Sequence, residues 1–251
     1  KQNGVMISAV VGCEKVRDQI FGYPSFEKFC KKYDLAYYNP KELDNNFLKI
    51  FKKFKPDLVF SIFYRKIFNQ NFLSVPHMGF INIHSSLLPK CRGPVPTLWA
   101  LLNDETKVGI TLHYIDSGID SGDIITQASM KIPQSTTGFD LLNRLMKKGA
   151  ILFKRELPTI LNGTNTRAKQ NHQQASYYGP FHERLRIIDW EEPINRILRH
   201  IQALTKPYVG AKSYIKHQEI IFWKGRLVNL SKIRLDGPGK IIKVNHNQFI
   251  V

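Results

Sequence analysis

The sequence predicts an α/β protein with an open, mostly parallel, Rossmann-like sheet and a small, mostly β C-terminal appendage. Strand-like and helix-like segments alternate over roughly the first 150 residues, which is the pattern of βαβ units. After about Asn162 the segments become short and are separated by Gly, Pro, Asn and Asp. We therefore predict a core domain at 1–163 and a small domain of one helix plus short strands at 164–251.

The core elements follow from apolar periodicity and end signals. Buried-strand patterns predict strands at 5–11, 57–63, 79–84 and 109–115. Ser25 can cap a first helix, and Pro40 suits the first turn of a second one because its missing N–H is harmless there. The predicted helices are 25–33, 39–54, 96–102 and 136–161, the last with a kink or break at Pro158.

The second part begins with a connection at 162–165 and a polar, aromatic stretch at 173–188. A helix is predicted at 191–204, with Pro193 in its first turn, followed by strands at 211–215, 219–223 and 239–244.

Composition limits the class of protein. Three scattered cysteines predict a reducing, cytoplasmic location, with no disulfide framework and no zinc site. We expect no membrane span and no leader, because no stretch reaches about 18 uncharged apolar residues. The net charge of +17 comes from lysines and arginines spread along the chain, so it fits solvated helix faces or a positive field for an anionic substrate.

Polar residues able to perform acyl transfer concentrate in two segments. Asn82 and His84 are two apart in a predicted strand, so both point to the same face. The glycine-rich segment 115–123 carries Asp116, Asp120 and Asp123. An amide and a protonated imidazole can hold an oxyanion, and a carboxylate can accept the proton of an attacking amine. No Ser/His/Asp signature or cysteine nucleophile is evident, which favours direct transfer without a covalent intermediate.

Spacing alone leaves alternatives open. A single strand histidine is also compatible with a structural role, and an Asp-Gly-rich segment with a simple turn. Nothing in the spacing shows that Asp120 meets His84. These residues by themselves predict an α/β enzyme of unknown acyl or group transfer.

Two longer motifs carry a family resemblance. The runs INIHSSLLPKCRGPVPTLWAL (81–101) and VGITLHYIDSGIDSGDII (108–125) resemble the signature of the formyltetrahydrofolate-dependent transferases: N-x-H-x-S-L-L-P, then R-G, then a glycine-spaced D-x-G-D segment. That family contains glycinamide ribonucleotide, methionyl-tRNA and sugar N-formyltransferases. The resemblance implies Asn82, His84 and Asp120 as catalytic residues, N10-formyltetrahydrofolate as formyl donor, and no metal.

The resemblance also implies a folate site built from three stretches. Its residues would be Lys66, Ile67 and Phe68, then Ser86, Leu87, Leu88 and Pro89, and finally Asp116, Ser117, Gly118 and Ile119. Pro94 departs from the pattern, because some sugar-formylating members carry an arginine there.

The acceptor implied is a nucleotide-linked amino sugar (UDP or dTDP) for lipopolysaccharide or similar glycans. Segments 60–68, 93–101, 175–190 and 199–215 resemble the sugar N-formyltransferases. We expect acceptor contacts from four residues, Arg65, Tyr177, Tyr178 and Trp190, although the aromatics could instead pack the appendage onto the core. A homodimer is an open alternative to a monomer, and no specific nucleic acid partner is expected.

Two other functions remain as alternatives. The charge of +17 fits a methionyl-tRNA formyltransferase, but segment 12–22 is short and lacks that branch's glycine-, arginine- and lysine-rich insertion. We also expect the long C-terminal barrel of that branch to be curtailed here. A non-catalytic, basic RNA-binding α/β protein should show an aromatic RNA motif or a clustered basic face, and neither is found. In this family a strand and a helix precede the stretch that begins here near residue 5, so we expect that strand and helix to be missing from this sequence.

Overall fold

The computed structural model describes residues 4–13, 25–228, 237–245 and 248–251; most of segment 12–22 lies outside them. The strands in chain order are β1 (Val10–Val11), β2 (Tyr37–Tyr38), β3 (Val59–Ile62), β4 (Phe80–His84), β5 (Lys107–Tyr114), β6 (Ile124–Lys131), β7 (Ala211–Ile215), β8 (Gln218–Phe222), β9 (Lys243–Asn245) and β10 (Gln248–Ile250). The α-helices are α1 (Phe26–Lys32), α2 (Asn45–Lys53), α3 (Gln70–Leu73), α4 (Pro96–Leu102), α5 (Gly138–Leu161) and α6 (Ile194–Leu204).

Most elements lie where the apolar patterns place them, and α4 and β7 have the predicted bounds. The second helix starts later than predicted because Asp44 caps it, its carboxylate accepting the Phe47 N–H at 2.8 Å. The strand predicted at 5–11 was wrong except for Val10–Val11. Residues 5–9 pair with no strand in the described part of the chain, and Met6 is 82% exposed there.

The α/β class is confirmed, and the central sheet is mixed. Its order is β3-β4-β5-β6, with β3 and β4 parallel and the other pairs antiparallel. A separate parallel pair joins β1 to β2. Loop 115–123 turns the chain back on itself, which makes β5 and β6 an antiparallel hairpin.

Strand β6 was not predicted from the sequence. Its residues alternate between more and less exposed positions, because one face packs on the protein and the other meets solvent. That alternation is a weak signal when the apolar positions are as small as Ala128.

The long helix α5 packs closely on the central sheet. At Gly149 an added Cβ would lie 2.6 Å from the Ile110 side chain, so a larger residue would push the helix away from β5. Leu141 and Leu145 are fully buried on the same helix. A second apolar cluster joins α2 and α3 to the start of β4. The sheet that carries the polar residues is therefore packed against helices α2, α3 and α5.

The C-terminal part contains α6 and two antiparallel hairpins, β7-β8 and β9-β10. The small β part is thus confirmed, while the division at 163/164 stays a prediction. Helix α6 contacts α4 and α5, and its buried residues Ile197 and Ile201 join the main core cluster. Among the described residues, no helix combines the length and the hydropathy that a bilayer crossing requires.

Candidate active site

Strand β4 sets the position of Asn82 and His84. The two side chains share one face of the strand, as predicted. On the neighbouring strand β5, His113 pairs directly with Asn82, and Thr111 pairs with His84. Directly paired residues on neighbouring strands point to the same side of a sheet. The register therefore adds a second histidine to the polar face.

Loop 115–123 brings Asp120 onto this face. The Asp120 Oδ1 atom lies 3.6 Å from His84 Nδ1 and 3.6 Å from His113 Nε2. It also lies 3.4 Å from Asn82 Nδ2, while Oδ2 accepts the Gly93 N–H at 2.8 Å. The sequence-predicted trio Asn82, His84 and Asp120 is thus brought together in space.

The loop is braced from within. The Asp116 Oδ1 atom accepts the Gly118 N–H at 3.0 Å and the Ser121 hydroxyl at 2.7 Å. At Gly122 an added Cβ would lie 2.1 Å from the Tyr114 carbonyl oxygen, so only glycine fits where the loop runs along the end of β5. These contacts hold the loop in the conformation that places Asp120 beside His84.

Hydrogen bonds assign the two histidines different roles. The His84 Nε2–H donates to the Cys91 carbonyl at 2.9 Å, which leaves Nδ1 facing Asp120. The His113 Nδ1–H donates to the Tyr114 carbonyl at 2.8 Å, so its Nε2 accepts from Asn82 Nδ2 at 3.2 Å. Burial, aided by repulsion from His84, lowers the pKa of His113 from 6.5 to about 4. His113 is therefore neutral at neutral pH and serves as a fixed acceptor for Asn82.

The three ionisable side chains of the site differ in exposure. The side chain of Asp120 is 17% exposed, whereas those of His84 and His113 are 7% and 1% exposed. An incoming molecule would thus meet the carboxylate more readily than either imidazole. A partly exposed carboxylate beside an amide N–H and an imidazole nitrogen can accept a proton while its neighbours bind a developing oxyanion.

The three stretches predicted to bind folate differ in accessibility. Ile67 and Ile119 are 78% and 52% exposed, so both offer apolar surface. The Lys66 ammonium is held by the carbonyl groups of Pro40 and Lys41, the latter at 2.6 Å. Pro40 and Lys41 also help to line a cavity of about 510 Å³, whose lining residues lie between Tyr38 and Ile50.

The Ser86–Pro89 stretch is more enclosed. Ser86 and Leu88 are each 3% exposed, and the Ser86 hydroxyl donates to the Lys90 carbonyl at 2.7 Å. The Leu88 N–H and carbonyl are engaged by Thr111 and Gln127. This stretch therefore has little freedom to rearrange around a ligand.

The residues predicted to contact the acceptor are dispersed. Tyr177 is 59% exposed, and its hydroxyl accepts from Arg92. Tyr178 stacks on Trp99 with ring centroids 4.8 Å apart. Trp190 packs edge-to-face on Phe222 in the C-terminal part. For Tyr178 and Trp190 the contacts match the packing alternative, and acceptor binding by them, as by Arg65, stays a prediction.

Sequence reasoning missed His113 and Gln170, and it included Arg92 and Gly93 only as the R-G of the family motif, without a role in the site. The alternation in GITLHYI places Thr111 and His113 on one face, which is the signal that could have identified the histidine. Gly93 has a φ of 100°, and an added Cβ would lie 2.3 Å from the Tyr178 carbonyl. The described residues contain no group of three metal-binding side chains arranged around a common point.

Comparison with known proteins gives a consistent family. A model of the formyl transferase family matches residues 7–173, and a model of the formyl transferase C-terminal domain matches residues 182–251. The chain is 35% identical over 232 residues to a bifunctional polymyxin resistance protein, ArnA, of Wigglesworthia glossinidia brevipalpis. That match covers 91% of this chain and 34% of the relative, so the chain spans about a third of that protein's length.

Solved structures share the fold. A 4-N formyltransferase from Francisella tularensis superposes with a TM-score of 0.69 at 25% identity, covering 88% of this chain and 97% of that one. An N-formyltransferase from Helicobacter canadensis, in complex with folinic acid and dTDP-3-aminofucose, has a TM-score of 0.56 at 21% identity, with coverages of 81% and 82%. A methionyl-tRNA formyltransferase from Clostridium thermocellum has a TM-score of 0.63 at 17% identity, with coverages of 88% and 93%. The last two show likeness of fold alone.

Proposed function

The chain belongs to the formyl transferase family, and on that premise we propose that it transfers a formyl group from N10-formyltetrahydrofolate to the amino group of a nucleotide-linked amino sugar. The observation that carries the proposal is the convergence of Asn82, His84 and Asp120, whose polar atoms lie 3.4–3.6 Å from Asp120 Oδ1.

The proposed chemistry is direct attack. The acceptor amine forms a bond to the formyl carbon, and the formyl oxygen becomes an oxyanion in a tetrahedral intermediate. Asn82 Nδ2 and a protonated His84 Nδ1 donate to that oxygen, and the long 3.4 Å contact from Asn82 to Asp120 is the one most easily exchanged for it. The bond from carbon to N10 then breaks. Asp120 takes the proton that the attacking amine loses and passes it to N10 as the carbon–N10 bond breaks, so the site returns to its starting protonation.

The formyl donor is a substrate that each turnover consumes, and the resemblance names the residues that would hold it. The exposed apolar side chains of Ile67 and Ile119 suit an aromatic pterin, because burying them on binding is favourable. The enclosed Ser86–Pro89 stretch offers a rigid wall. These features support a folate donor.

The choice of acceptor rests on several observations. The 4-N formyltransferase and the Helicobacter canadensis enzyme share the fold, and four segments resemble the sugar N-formyltransferases. The net charge of +17 and the fold of the methionyl-tRNA formyltransferase keep tRNA as a second candidate acceptor.

An acceptor screen tests the proposal. The protein would be incubated with N10-formyltetrahydrofolate and UDP- or dTDP-linked 4-amino sugars, and the products analysed by mass spectrometry for one added formyl group. Reactions without donor, and with methionyl-tRNA as acceptor, run in parallel. We expect formylation of an amino sugar. Formylation of methionyl-tRNA alone would contradict the acceptor, and transfer to no acceptor would contradict the function.

A further inference from the structure

Arg92 and Gln170 form a buried polar pair beside the Asp120 loop. Their exposed fractions are 1% and 5%. The guanidinium donates twice to Gln170 Oε1, from Nε at 3.2 Å and from Nη2 at 2.7 Å. Its other side-chain contacts are the Tyr177 hydroxyl and the His172 ring nitrogen. A buried charge requires such hydrogen bonds, so the Gln170 oxygen is committed to Arg92.

The amide nitrogen of Gln170 points the other way, into the loop. It donates to the Asp120 carbonyl at 2.9 Å and to the Gly122 carbonyl at 2.7 Å. A guanidinium can only donate and a backbone carbonyl can only accept, so a single orientation of the amide satisfies both sides. A glutamate in this place could accept from Arg92 but could not donate to the loop.

The loop needs an outside support at this point. Asp120 has a φ of 49°, a left-handed conformation that residues with a Cβ seldom adopt unless surrounding contacts hold them in it. Its side chain is held by the N–H of Gly93, the residue that follows Arg92. The backbone of Asp120 is therefore fixed through Gln170, and its carboxylate is fixed through Gly93.

We propose that Gln170 is a positioning residue for Asp120, transmitting the fixed location of the buried Arg92 guanidinium to the loop that carries the proton acceptor. The inference rests on the proposed function, because only there does Asp120 accept the proton of the amine. It assigns to the segment after α5 a part in the reaction, although no atom of Gln170 contacts substrate.

The variant Gln170→Glu isolates this role. It preserves the shape of the side chain and gives Arg92 an oppositely charged partner, but it removes both donors to the loop. We expect kcat to fall by about 10²-fold, the typical cost of a misplaced catalytic group, with little change in KM for donor or acceptor. Hydrogen exchange of amides in 115–123 should be at least ~10-fold faster than in the wild-type protein.

Gln173→Glu is the matched control, because it makes the same change three residues away on an exposed turn. It should keep wild-type turnover and exchange. A folded Q170E variant with wild-type kcat and wild-type exchange in the loop would overturn the proposal.

If Q170E does not fold, Arg92→Lys decides the matter. It keeps the positive charge but lacks the paired N–H groups that fix Oε1, so turnover should fall and loop exchange should rise. Unchanged values in R92K would overturn the inference. The exchange measurement needs no substrate. Faster exchange in Q170E, with no formyl transfer by the wild-type protein, would therefore contradict the proposed function and still support the positioning role.

Discussion

Replacing Asp120 with asparagine removes a charge from the centre of the site and keeps the shape of the side chain. The amide of D120N can still accept the Gly93 N–H through its oxygen, so the 2.8 Å hydrogen bond is kept. Its NH₂ group then faces Asn82 Nδ2, where two donors meet in place of the 3.4 Å contact to a carboxylate. Because the hydrogen bonds from Gly93 and Gln170 are kept, we expect the loop to stay in place while the proton acceptor is lost.

The size of the effect follows from that loss. A positioned general base contributes about 10²–10⁴-fold, so kcat should fall by that factor, equivalent to about 3–5 kcal/mol of transition-state stabilisation. Steady-state formylation of an amino sugar nucleotide measures kcat and KM, and circular dichroism checks the fold. Turnover within about threefold of the wild-type value would refute the assignment of Asp120.

A second measurement on D120N needs no activity. Burial lowers the pKa of His113, and the charge of Asp120 offsets only part of that effect. The resulting pKa of His113 is about 4. Removing that charge should lower the pKa of His113 further. The ring signals of His113 in an NMR titration report this directly.

Three further measurements test the site. Asn82→Ala or His84→Ala should each lower kcat by at least ~10²-fold, the loss typical of one oxyanion donor, with little change in donor affinity by titration. His113 is held neutral, with a folded pKa of about 4 against 6.5 unfolded. Its contribution to stability is therefore present above pH 6.5 and lost as the pH falls towards 4, by up to roughly 3 kcal/mol; His113→Gln should remove this dependence in denaturant unfolding. UDP or dTDP should bind with micromolar-to-millimolar Kd and modest salt dependence by calorimetry; no detectable nucleotide binding, together with tRNA binding that falls steeply with salt, would contradict a sugar-nucleotide acceptor.

The sequence predicts the strand face of the site well and its surroundings poorly. Asn82 and His84 follow from strand alternation, which depends only on neighbouring residues. Asp120 meets these residues only because of the path of loop 115–123. Spacing alone does not determine that path, and the prediction of Asp120 came from the family motif. His113 depends on the register between β4 and β5, which is a non-local property.

Backbone contacts explain the remaining omissions. Gln170 donates to a main-chain carbonyl of the Asp120 loop, and Gly93 donates its own N–H, so side-chain patterns reveal neither contact; Gly93 entered the prediction only through the R-G of the family motif. The strand predicted at 5–11 shows the opposite failure. Its apolar run satisfies the local pattern, but pairing requires a neighbouring strand, and only Val10–Val11 finds one, at Tyr37–Tyr38.

The most direct test of the central claim follows the formyl group itself. The wild-type protein would be given N10-formyltetrahydrofolate labelled with ¹³C in the formyl group, a nucleotide-linked 4-amino sugar, and an excess of unlabelled formate. We predict that the new formamide of the sugar carries the ¹³C label undiluted, because the amine attacks the bound formyl group directly. A product with unlabelled formyl groups, or labelled formate with no formylated sugar, would contradict direct transfer at the site formed by Asn82, His84 and Asp120.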